Sequence, residues 1–374
     1  MRFSVSSSDL LKKLQVTGGA IGSNPVLPIL EDFLFSIKGN QLIITATDLE
    51  TAITTQMDVE ADKDGAVAVP AKILLETLKA LPQQPITVEV DESNFNIEIT
   101  SSYGKYKLAG ENGTDFPTIP EADGPAALSI PGHKLTQGIN KTIFATSNDE
   151  LRPAMTGVYF QLENNELTLV ATDAHKLVKY TFKELEITSG SSFIVPKKAL
   201  NLLKGIVGQS DMIELKYNGS NVFFESEHTK LSCRLIDENY PNYRAVIPQN
   251  NPNNLNANRL DFQNSLKRIA IYANKTTNQV VLNINNNDMN ISAQDLDFSN
   301  EAAEQLSCSY EGDPLTIGFN AKFLIEMLGV LETDEIKMEL SSPTTAGILL
   351  PAEELEDESI LMLVMPVMLD RKST

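Results

Sequence analysis

The sequence predicts an α+β protein of three repeated domains, each built from two β-α-β-β-β halves. The first observation is an internal repeat, because three related stretches surround Asp48, Asp173 and Asp295, which lie 125 and 122 residues apart. A repeat of that length is a domain, since solenoid units run to only about 20–50 residues. The second observation is that helical and strand patterns recur in the same order, so we expect domains at 1–122, 123–250 and 251–374. Long hairpins with one helix per half predict antiparallel sheets that carry helices on one face.

The first half of each domain opens with a short strand and an amphipathic helix. The helices follow from apolar residues at helical spacing, such as Leu10, Leu11 and Leu14. The predicted strands are Phe3–Val5, Ala127–Ile130 and Leu255–Leu260, and the predicted helices are Ser7–Gly18, Gly132–Phe144 and Leu260–Lys275. Alternating hairpins with Gly or Asn in their turns come next. They are Phe33–Lys38 with Leu42–Thr47, Gly157–Leu162 with Glu166–Thr172, and Val280–Ile284 with Asp288–Ser292.

The second half of each domain repeats the strand, helix and hairpin pattern. Its predicted helices are Ala71–Leu81, Lys197–Ile206 and Ala321–Val330. Its hairpins are Ile86–Val90 with Phe95–Thr100, Met212–Tyr217 with Val222–Ser226, and Glu335–Leu340 with Gly347–Leu350. Segments rich in Pro, Gly or Asn predict linkers at Pro120–Pro125 and Pro248–Asn256.

Composition excludes several classes of protein. With 374 residues, 42% of them hydrophobic, the chain can bury several cores. Cys233 and Cys308 stand in different repeats without metal-type spacing, so we expect reduced thiols, no disulfide scaffold, no metal and no cofactor. No stretch approaches the ~18 apolar residues of a membrane span, and the N-terminus lacks the apolar core of a secretion signal. These features predict a cytoplasmic protein.

The charge is unevenly distributed along the chain. A net charge of −20 argues against general affinity for nucleic acid. The six predicted helices nevertheless hold 13 Lys or Arg and four Asp or Glu, so they sum to +9 against −29 for the remainder. Helix propensity favours Lys and Glu about equally and does not explain this imbalance. A basic face on an acidic protein is typical of a polyanion partner, so helices sharing one surface would hold duplex DNA without sequence preference.

Four motifs in order resemble those of the bacterial sliding clamp family, the beta subunit of DNA polymerase III. They are Leu27–Leu30 after Asn24-Pro25, Val170–Leu177, Glu238–Arg244 and Leu363–Val367, and the register is kept from Met1 to Leu369. The resemblance implies the DNA-clamp fold, with two chains closed head to tail into a ring, helices lining the hole and sheets outside. It implies a processivity factor that encircles duplex DNA. The replicative polymerase alpha subunit, the clamp loader, repair polymerases, and mismatch-repair and ligase-type proteins would share one cleft.

The resemblance also implies three sets of site residues. Those of the cleft between the second and third domains are Arg152, Met155, Thr172, Ala174, His175, Lys176, Leu177, Pro241, Val246, Leu363, Val364, Met365, Pro366 and Val367. The dimer contact would join an edge strand of the first domain to the third domain, through Lys105, Tyr106 as an aromatic plug, Lys107, Ile271, Tyr272, Asp297, Glu301 and Glu304. DNA-facing positions carry over at Lys12, Lys72, Lys197 and Lys198, and the helix charge adds Lys134, Lys141, Lys204, Lys267 and Arg268.

The chain departs from the family pattern at a few positions. In loops that the resemblance assigns to DNA contact, Asn24 replaces a basic residue and Asp149 replaces a neutral amide. In the cleft, Ala174 replaces a usual glycine and Lys176 a usual arginine. Asp370–Thr374 extends past the usual end and would form a tail beside the cleft.

Other interpretations compete with the clamp. An enzyme would use Asp173 with His175, or Cys233 with His228, as an acid–base or nucleophilic pair. The third repeat lacks a histidine, however, and no Gly-rich phosphate loop, HExxH or CxxC is present. A repeat scaffold or ligand-binding protein that does not encircle DNA would not concentrate basic residues on its helices. Individual residues also have structural alternatives: the repeated aspartates as caps of turns, Arg152 as the partner of a carboxylate, and Met365 and Pro366 as edge-strand residues.

Overall fold

The computed structural model describes residues 1–122, 126–208, 211–353 and 355–369. The chain divides into two compact units. The first unit comprises Met1–Thr136 with Lys198–Leu235, and the second comprises Gln137–Lys197 with the described residues from Ile236 onward. The predicted tail Asp370–Thr374 and residues 123–125 of the first predicted linker lie outside the described residues.

Six α-helices are present among the described residues. They are α1 (Ser7–Thr17), α2 (Ala71–Ala80), α3 (Gly132–Thr142), α4 (Lys197–Ile206), α5 (Arg259–Ile269) and α6 (Ala321–Val330). The predictions for α3 and α5 extended too far, because 3-10 turns replace α geometry at Ile143–Ala145 and Ala270–Tyr272. Helix α5 also begins one residue early, where the Asn258 side chain accepts the Asp261 backbone N–H at 3.0 Å. Lys275 thus leaves the helix and Arg259 enters it, so the six helices still carry 13 basic and four acidic residues.

The first unit contains two antiparallel sheets. The smaller one has five strands in the order β5 (Glu60–Lys63), β1 (Arg2–Ser6), β7 (Pro85–Val90), β8 (Asn96–Ser101) and β9 (Gly104–Ala109). The larger one has nine strands in the order β10 (Glu111–Asn112), β6 (Gly65–Pro70), β2 (Asp32–Lys38), β3 (Gln41–Thr47), β4 (Thr51–Asp58), β18 (Thr229–Arg234), β17 (Asn221–Glu225), β16 (Met212–Tyr217) and β11 (Leu128–Pro131). Helices α1 and α2 pack together, and α1 packs against β3 and β4.

The second unit also contains two antiparallel sheets. Nine strands follow the order β15 (Ser191–Pro196), β12 (Gly157–Glu163), β13 (Glu166–Thr172), β14 (Lys176–Phe182), β27 (Glu358–Val364), β26 (Gly347–Pro351), β25 (Glu335–Leu340), β19 (Asn253–Asn258) and β23 (Ser309–Glu311). Four strands follow the order β22 (Asn300–Ser307), β21 (Asp288–Asp295), β20 (Gln279–Asn285) and β24 (Leu315–Asn320). The linker predicted to reach Asn256 is wrong from Asn253 onward, because alternate burial of Asn253, Leu255 and Ala257 makes that segment a strand.

Each nine-stranded sheet is continuous across one strand pair, and the two pairs are of the same kind. β4 pairs antiparallel with β18, and β14 pairs antiparallel with β27. In each case the last strand of one predicted domain's first half meets the last strand of the next domain's second half. The strands that hold these places in the third and first domains are β22 and β9. Within the described chain, each of these two strands lies at the edge of its sheet.

The repeated aspartates cap turns. Asp48 Oδ1 accepts the backbone N–H groups of Glu50 and Thr51 at 3.0 and 2.7 Å. Asp173 Oδ1 does the same for the two residues that follow Ala174, both at 2.9 Å, and Asp295 Oδ1 accepts one N–H at 3.1 Å. The structural interpretation of these residues is therefore confirmed, and the sequence repeat records a repeated turn.

Asp32 at the start of β2 is buried, with 7% of its surface exposed. Burial, followed by the negative charges of Glu111 and Glu31, raises the pKa of its carboxyl to about 6. A raised pKa means that the folded chain prefers the protonated acid, so stability is lost as pH rises from the unfolded value through 6.

We expect Asp32→Asn to raise the free energy of unfolding by about 2 kcal/mol at pH 8, because the amide removes the buried negative charge. Near pH 4 the gain should vanish, since the native carboxyl is then neutral. Urea unfolding at both pH values measures the difference. The matched control is Asp58→Asn, which removes the same charge at an exposed position of β4. An equal gain at both pH values would contradict the assignment.

Candidate functional site

The central residues of the predicted cleft converge on the β14–β27 junction of the second unit. Leu177 pairs with Leu363, and Met365 donates its backbone N–H to the His175 carbonyl at 2.8 Å. The two leucines belong to a buried apolar cluster with Val170, Tyr243 and Ala346, against which Tyr159, Tyr240 and Ile247 pack. Thr172, Lys176 and Val364 are also buried at this junction. The junction therefore has an apolar floor.

The peripheral cleft residues lie on the segments that flank this floor. Met155 is half-buried in a 3-10 turn just before β12, while Pro241 and Val246 are exposed on the segment after β18. Pro366 and Val367 are half-buried, and Val367 donates its backbone N–H to the Gly318 carbonyl at 2.8 Å.

Arg152 makes the alternative contact that its sequence allowed. Its guanidinium donates from Nε to Asp149 Oδ2 at 3.0 Å, and both side chains are partly exposed. A backbone hydrogen bond from Leu151, and then the Arg152 guanidinium, lower the pKa of the Asp149 carboxyl. An exposed pair of this kind is worth little, so Arg152 can exchange its partner at small cost.

Lys176, which the resemblance assigns to the cleft, has a buried side chain whose ammonium is held by carboxylates. Its side chain is 7% exposed, and its ammonium lies 2.8 Å from Asp173 and 3.4 Å from Glu326. The ammonium also lies 4.3 Å from the ring centroid of Phe323, on which His175 stacks. Burial of a charge requires such partners, so Lys176 supports the turn from beneath. Phe323 and Glu326 are not among the residues predicted from sequence, although their spacing on α6 puts both on one helical face.

The equivalent junction in the first unit lacks an apolar floor. The strand registers put Ala52 and Ser232 in the places of Leu177 and Leu363. Cys233 follows Ser232, and burial raises the pKa of its thiol to about 12. The aspartate of that turn is held by an ion pair between Asp48 and Lys198. Small and polar side chains thus replace the leucines, which explains why the repeated turn forms an apolar site at only one of these two junctions.

Ala174 occupies a backbone conformation that favours glycine, with φ +74°. We expect Ala174→Gly to raise the free energy of unfolding by about 0.5–1 kcal/mol, because it relieves the left-handed strain of a residue with a Cβ. The control Ala245→Gly, in the 3-10 segment Tyr243–Val246, should instead lower it, since glycine there only adds freedom to the unfolded chain. Thermal unfolding of both variants distinguishes the two signs, and destabilisation by Ala174→Gly would refute the strain.

The predicted DNA-facing residues divide by exposure. Lys12, Lys72, Lys198, Lys267 and Arg268 are exposed. Lys134, Lys197 and Lys204 are half-buried. Several are engaged by neighbours, as Lys12 is with Asp9 at 3.1 Å, but exposed pairs of this kind exchange readily with phosphate.

Lys141 does not fit the DNA-facing set, because its side chain is buried. Only 8% of that side chain is exposed, and its ammonium lies 3.4 Å from Glu332 and 3.9 Å from Glu358. It also lies 5.3 Å from the ring centroid of Tyr180, whose hydroxyl bonds to Glu358. Glu358 is on β27 and Tyr180 on β14, so Lys141 ties the two strands of the junction together. Helical periodicity identified α3 but not which of its lysines points inward.

The predicted dimer residues lie on or beside two of the edge strands, β9 and β22. On β9, Lys105 and Lys107 are exposed and share Glu98 at 2.5 and 3.6 Å, while Tyr106 is half-buried. On the other edge, β22 carries exposed Glu301 and half-buried Glu304, and Asp297 is exposed in the turn before it. Ile271 and Tyr272 expose 65% and 43% of their surfaces beside β22. Exposed apolar groups beside an unpaired strand edge are typical of an interface.

Arg268 and Glu304 are paired with each other within one chain. The guanidinium donates from Nε and Nη2 to the two carboxylate oxygens at 2.7 and 2.6 Å. This hydrogen bonding is the main cause that lowers the pKa of the Glu304 carboxyl. Arg268, assigned to DNA, therefore contacts a residue assigned to the dimer interface.

Comparison with known proteins decides the family. Models of the N-terminal, central and C-terminal domains of the DNA polymerase III beta subunit match residues 1–120, 129–242 and 244–368. The chain belongs to this family. It has the α+β clamp fold, and as a member of the beta subunit family it is a replication processivity factor and not itself a catalyst. The enzyme interpretation is set aside.

Individual relatives extend over the full chain. A beta sliding clamp of Vibrio cholerae is 30% identical over 371 residues, which are 99% of this chain and 100% of that protein. The sliding clamp of Bacillus subtilis superposes with a TM-score of 0.94 at 25% identity, covering 99% of this chain and 100% of that one. A Pseudomonas aeruginosa clamp solved bound to griselimycin gives a TM-score of 0.92 at 27% identity, with the same coverage.

Proposed function

We propose that two copies of this three-domain chain close head to tail into a ring around duplex DNA. The observation that carries the proposal is that β9 and β22, the strands in the junction places of the first and third domains, lie unpaired at sheet edges in the described chain. In each nine-stranded sheet, the junction joins four strands from one domain to five strands from the next or the preceding domain. A β22–β9 pair between copies would join the remaining four-stranded and five-stranded sheets by the same rule. Each copy offers one edge of each kind, so two copies can satisfy all four edges and close.

The junctions inside the chain predict the register between the copies. Two pairs of facing residues occupy the same place in the repeat, namely Ala52 with Ser232 and Leu177 with Leu363. The hairpin registers map this place onto Glu301 and Lys107. Tyr106 then falls opposite Ala302, a small residue that leaves room for the aromatic side chain. Opposite charges face each other at the first pair, which favours this alignment over its neighbours.

Basic helices on an acidic protein support DNA binding through phosphates. The six helices hold 13 basic and four acidic residues, while the whole chain carries −20. Helices that face the duplex would attract phosphates loosely, and the acidic remainder would be repelled. The ring would therefore slide without reading sequence, and retention would come from topology.

As a replication factor, the protein would work in the cytoplasm. No described helix is both long and apolar enough to cross a membrane.

The apolar floor at the β14–β27 junction supports a peptide-binding cleft. Leucine and tyrosine side chains there suit short apolar motifs, while His175 and Arg152 supply polar contacts at the rim. One such cleft would tether the replicative polymerase alpha subunit, the clamp loader, repair polymerases, and mismatch-repair and ligase-type proteins. A related clamp solved bound to griselimycin supports a ligand site in this family.

Retention on DNA of different topology tests the ring. The chain is loaded with a clamp loader onto nicked circles, and its dissociation is followed by gel filtration before and after one restriction cut. We expect slow dissociation from circles and rapid loss from the linearised product at the same salt concentration. Equal dissociation from both forms would favour the repeat scaffold that binds without encircling. Binding to a blocked linear duplex separates loss at ends from loss of affinity.

A further inference from the structure

The repeat assigns Arg268 and Lys141 to the same place on their helices. Each is the tenth residue, counted from Arg259 in α5 and from Gly132 in α3. Their strand partners correspond as well. Glu304 lies opposite Ile291 in the β21–β22 hairpin, as Tyr180 lies opposite Leu169 in β13–β14. Leu169 and Ile291 each stand four residues before the aspartate that caps the turn, so the two constellations are copies of one arrangement.

The occupied junction shows what this arrangement does. Lys141 lies over Tyr180 and approaches Glu358, which belongs to the strand added across the junction. The helix cation thus contacts both the edge strand and the strand that pairs with it. Its side chain is buried there, although lysine is ordinarily exposed.

Arg268 has the first of these contacts but lacks the second. It holds Glu304 on the edge strand β22 through two N–H groups, and 59% of its side chain is still exposed. A guanidinium has five N–H donors, so donors remain for acceptors on an added strand. In the proposed register, Glu304 falls opposite Gly104, which places the backbone carbonyls of the partner copy's Ser101–Gly104 turn beside Arg268.

We propose that Arg268 is a positioning residue of the ring-closing interface and not a DNA contact. Through its pair with Glu304 it holds the edge of β22 straight and offers its remaining donors to the β8–β9 turn of the second copy. The inference rests on the proposed ring and adds a residue that fixes one of its two closing edges.

A double-mutant cycle on the full-length chain tests the assignment. Arg268→Gln, Glu304→Gln and the double variant are compared by sedimentation equilibrium, with thermal unfolding to confirm folding. We expect each single change to raise the dimer dissociation constant roughly tenfold, because a charge-assisted pair at the interface is lost. The dimer dissociation constant of the double variant should not exceed that of the single variant with the larger loss. Arg268→Lys should recover part of the affinity that Arg268→Gln loses.

Two control variants separate a role in dimerisation from a role in DNA binding and from an effect of net charge. Lys267→Gln, next to Arg268 and exposed, should weaken DNA binding and leave the dimer constant unchanged, while Lys79→Gln controls for net charge. Additive losses in the cycle, or an Arg268→Gln variant that dimerises normally and loses only DNA affinity, would overturn the inference. A wild-type chain that stays monomeric at every concentration would instead overturn the proposed ring.

Discussion

Lys107→Glu is expected to weaken the dimer about 100-fold, a loss of about 3 kcal/mol, because it places two carboxylates opposite each other at a closing edge. In the proposed register the new side chain faces Glu301 of the partner copy and also lies beside Glu98 of its own sheet. Glu301→Lys alone should weaken the dimer similarly. The double variant Lys107→Glu with Glu301→Lys should recover most of the loss, as sedimentation equilibrium at low salt would show.

Lys105→Glu is the matched control for the register. Lys105 shares the strand, the exposed face and the Glu98 partner of Lys107, but it falls opposite Ala303. Glu301→Lys should therefore rescue Lys107→Glu and not Lys105→Glu. Rescue of Lys105→Glu instead would mean that the edges pair with a two-residue shift. Rescue of neither would mean that these edges do not meet.

Lys141→Ala is expected to lower the free energy of unfolding of the second unit by about 3 kcal/mol, because it leaves a buried carboxylate without its cation. Glu358 is 8% exposed, and among the described residues its remaining hydrogen-bond partners would be the Gln137 amide and the Tyr180 hydroxyl. Urea unfolding together with hydrogen exchange at β14 and β27 would locate the loss at this junction.

A control variant and a double variant test whether the stability loss of Lys141→Ala comes from the unpaired buried carboxylate. Lys322→Ala removes a cation at an exposed position of α6 and should cost less than about 0.5 kcal/mol. Lys141→Met combined with Glu358→Gln should cost less than the two single changes together, because no unpaired charge stays buried. A Lys141→Ala variant as stable as the control, with reduced DNA affinity, would restore Lys141 to the DNA-facing set.

Periodicity and repetition identified most of the fold from sequence. All six helices and both kinds of hairpin were predicted, since apolar spacing near 3.6 or 2 records which face is buried. The errors lie at ends, where the rule is local. Helix α5 stops at Ile269 because a 3-10 turn follows, and the apolar residues Ile271 and Tyr272 continued the pattern without continuing the helix.

The candidate site was predicted less completely. The resemblance supplied Leu177 and Leu363, and the structure pairs them. It gave no account of Phe323 and Glu326, which reach the turn from α6, because contact between elements far apart in sequence leaves no local pattern. The orientation of Lys141 was missed for the same reason.

By itself, the sequence determined the threefold repeat, the α+β class, the family and the accumulation of positive charge on the helices, because each of these is a property of residue order and local period. Only the tertiary structure decided which lysines are buried and which strand edges stay unpaired. Burial and pairing depend on residues that the chain brings together from other repeats, as Glu358 is brought to Lys141.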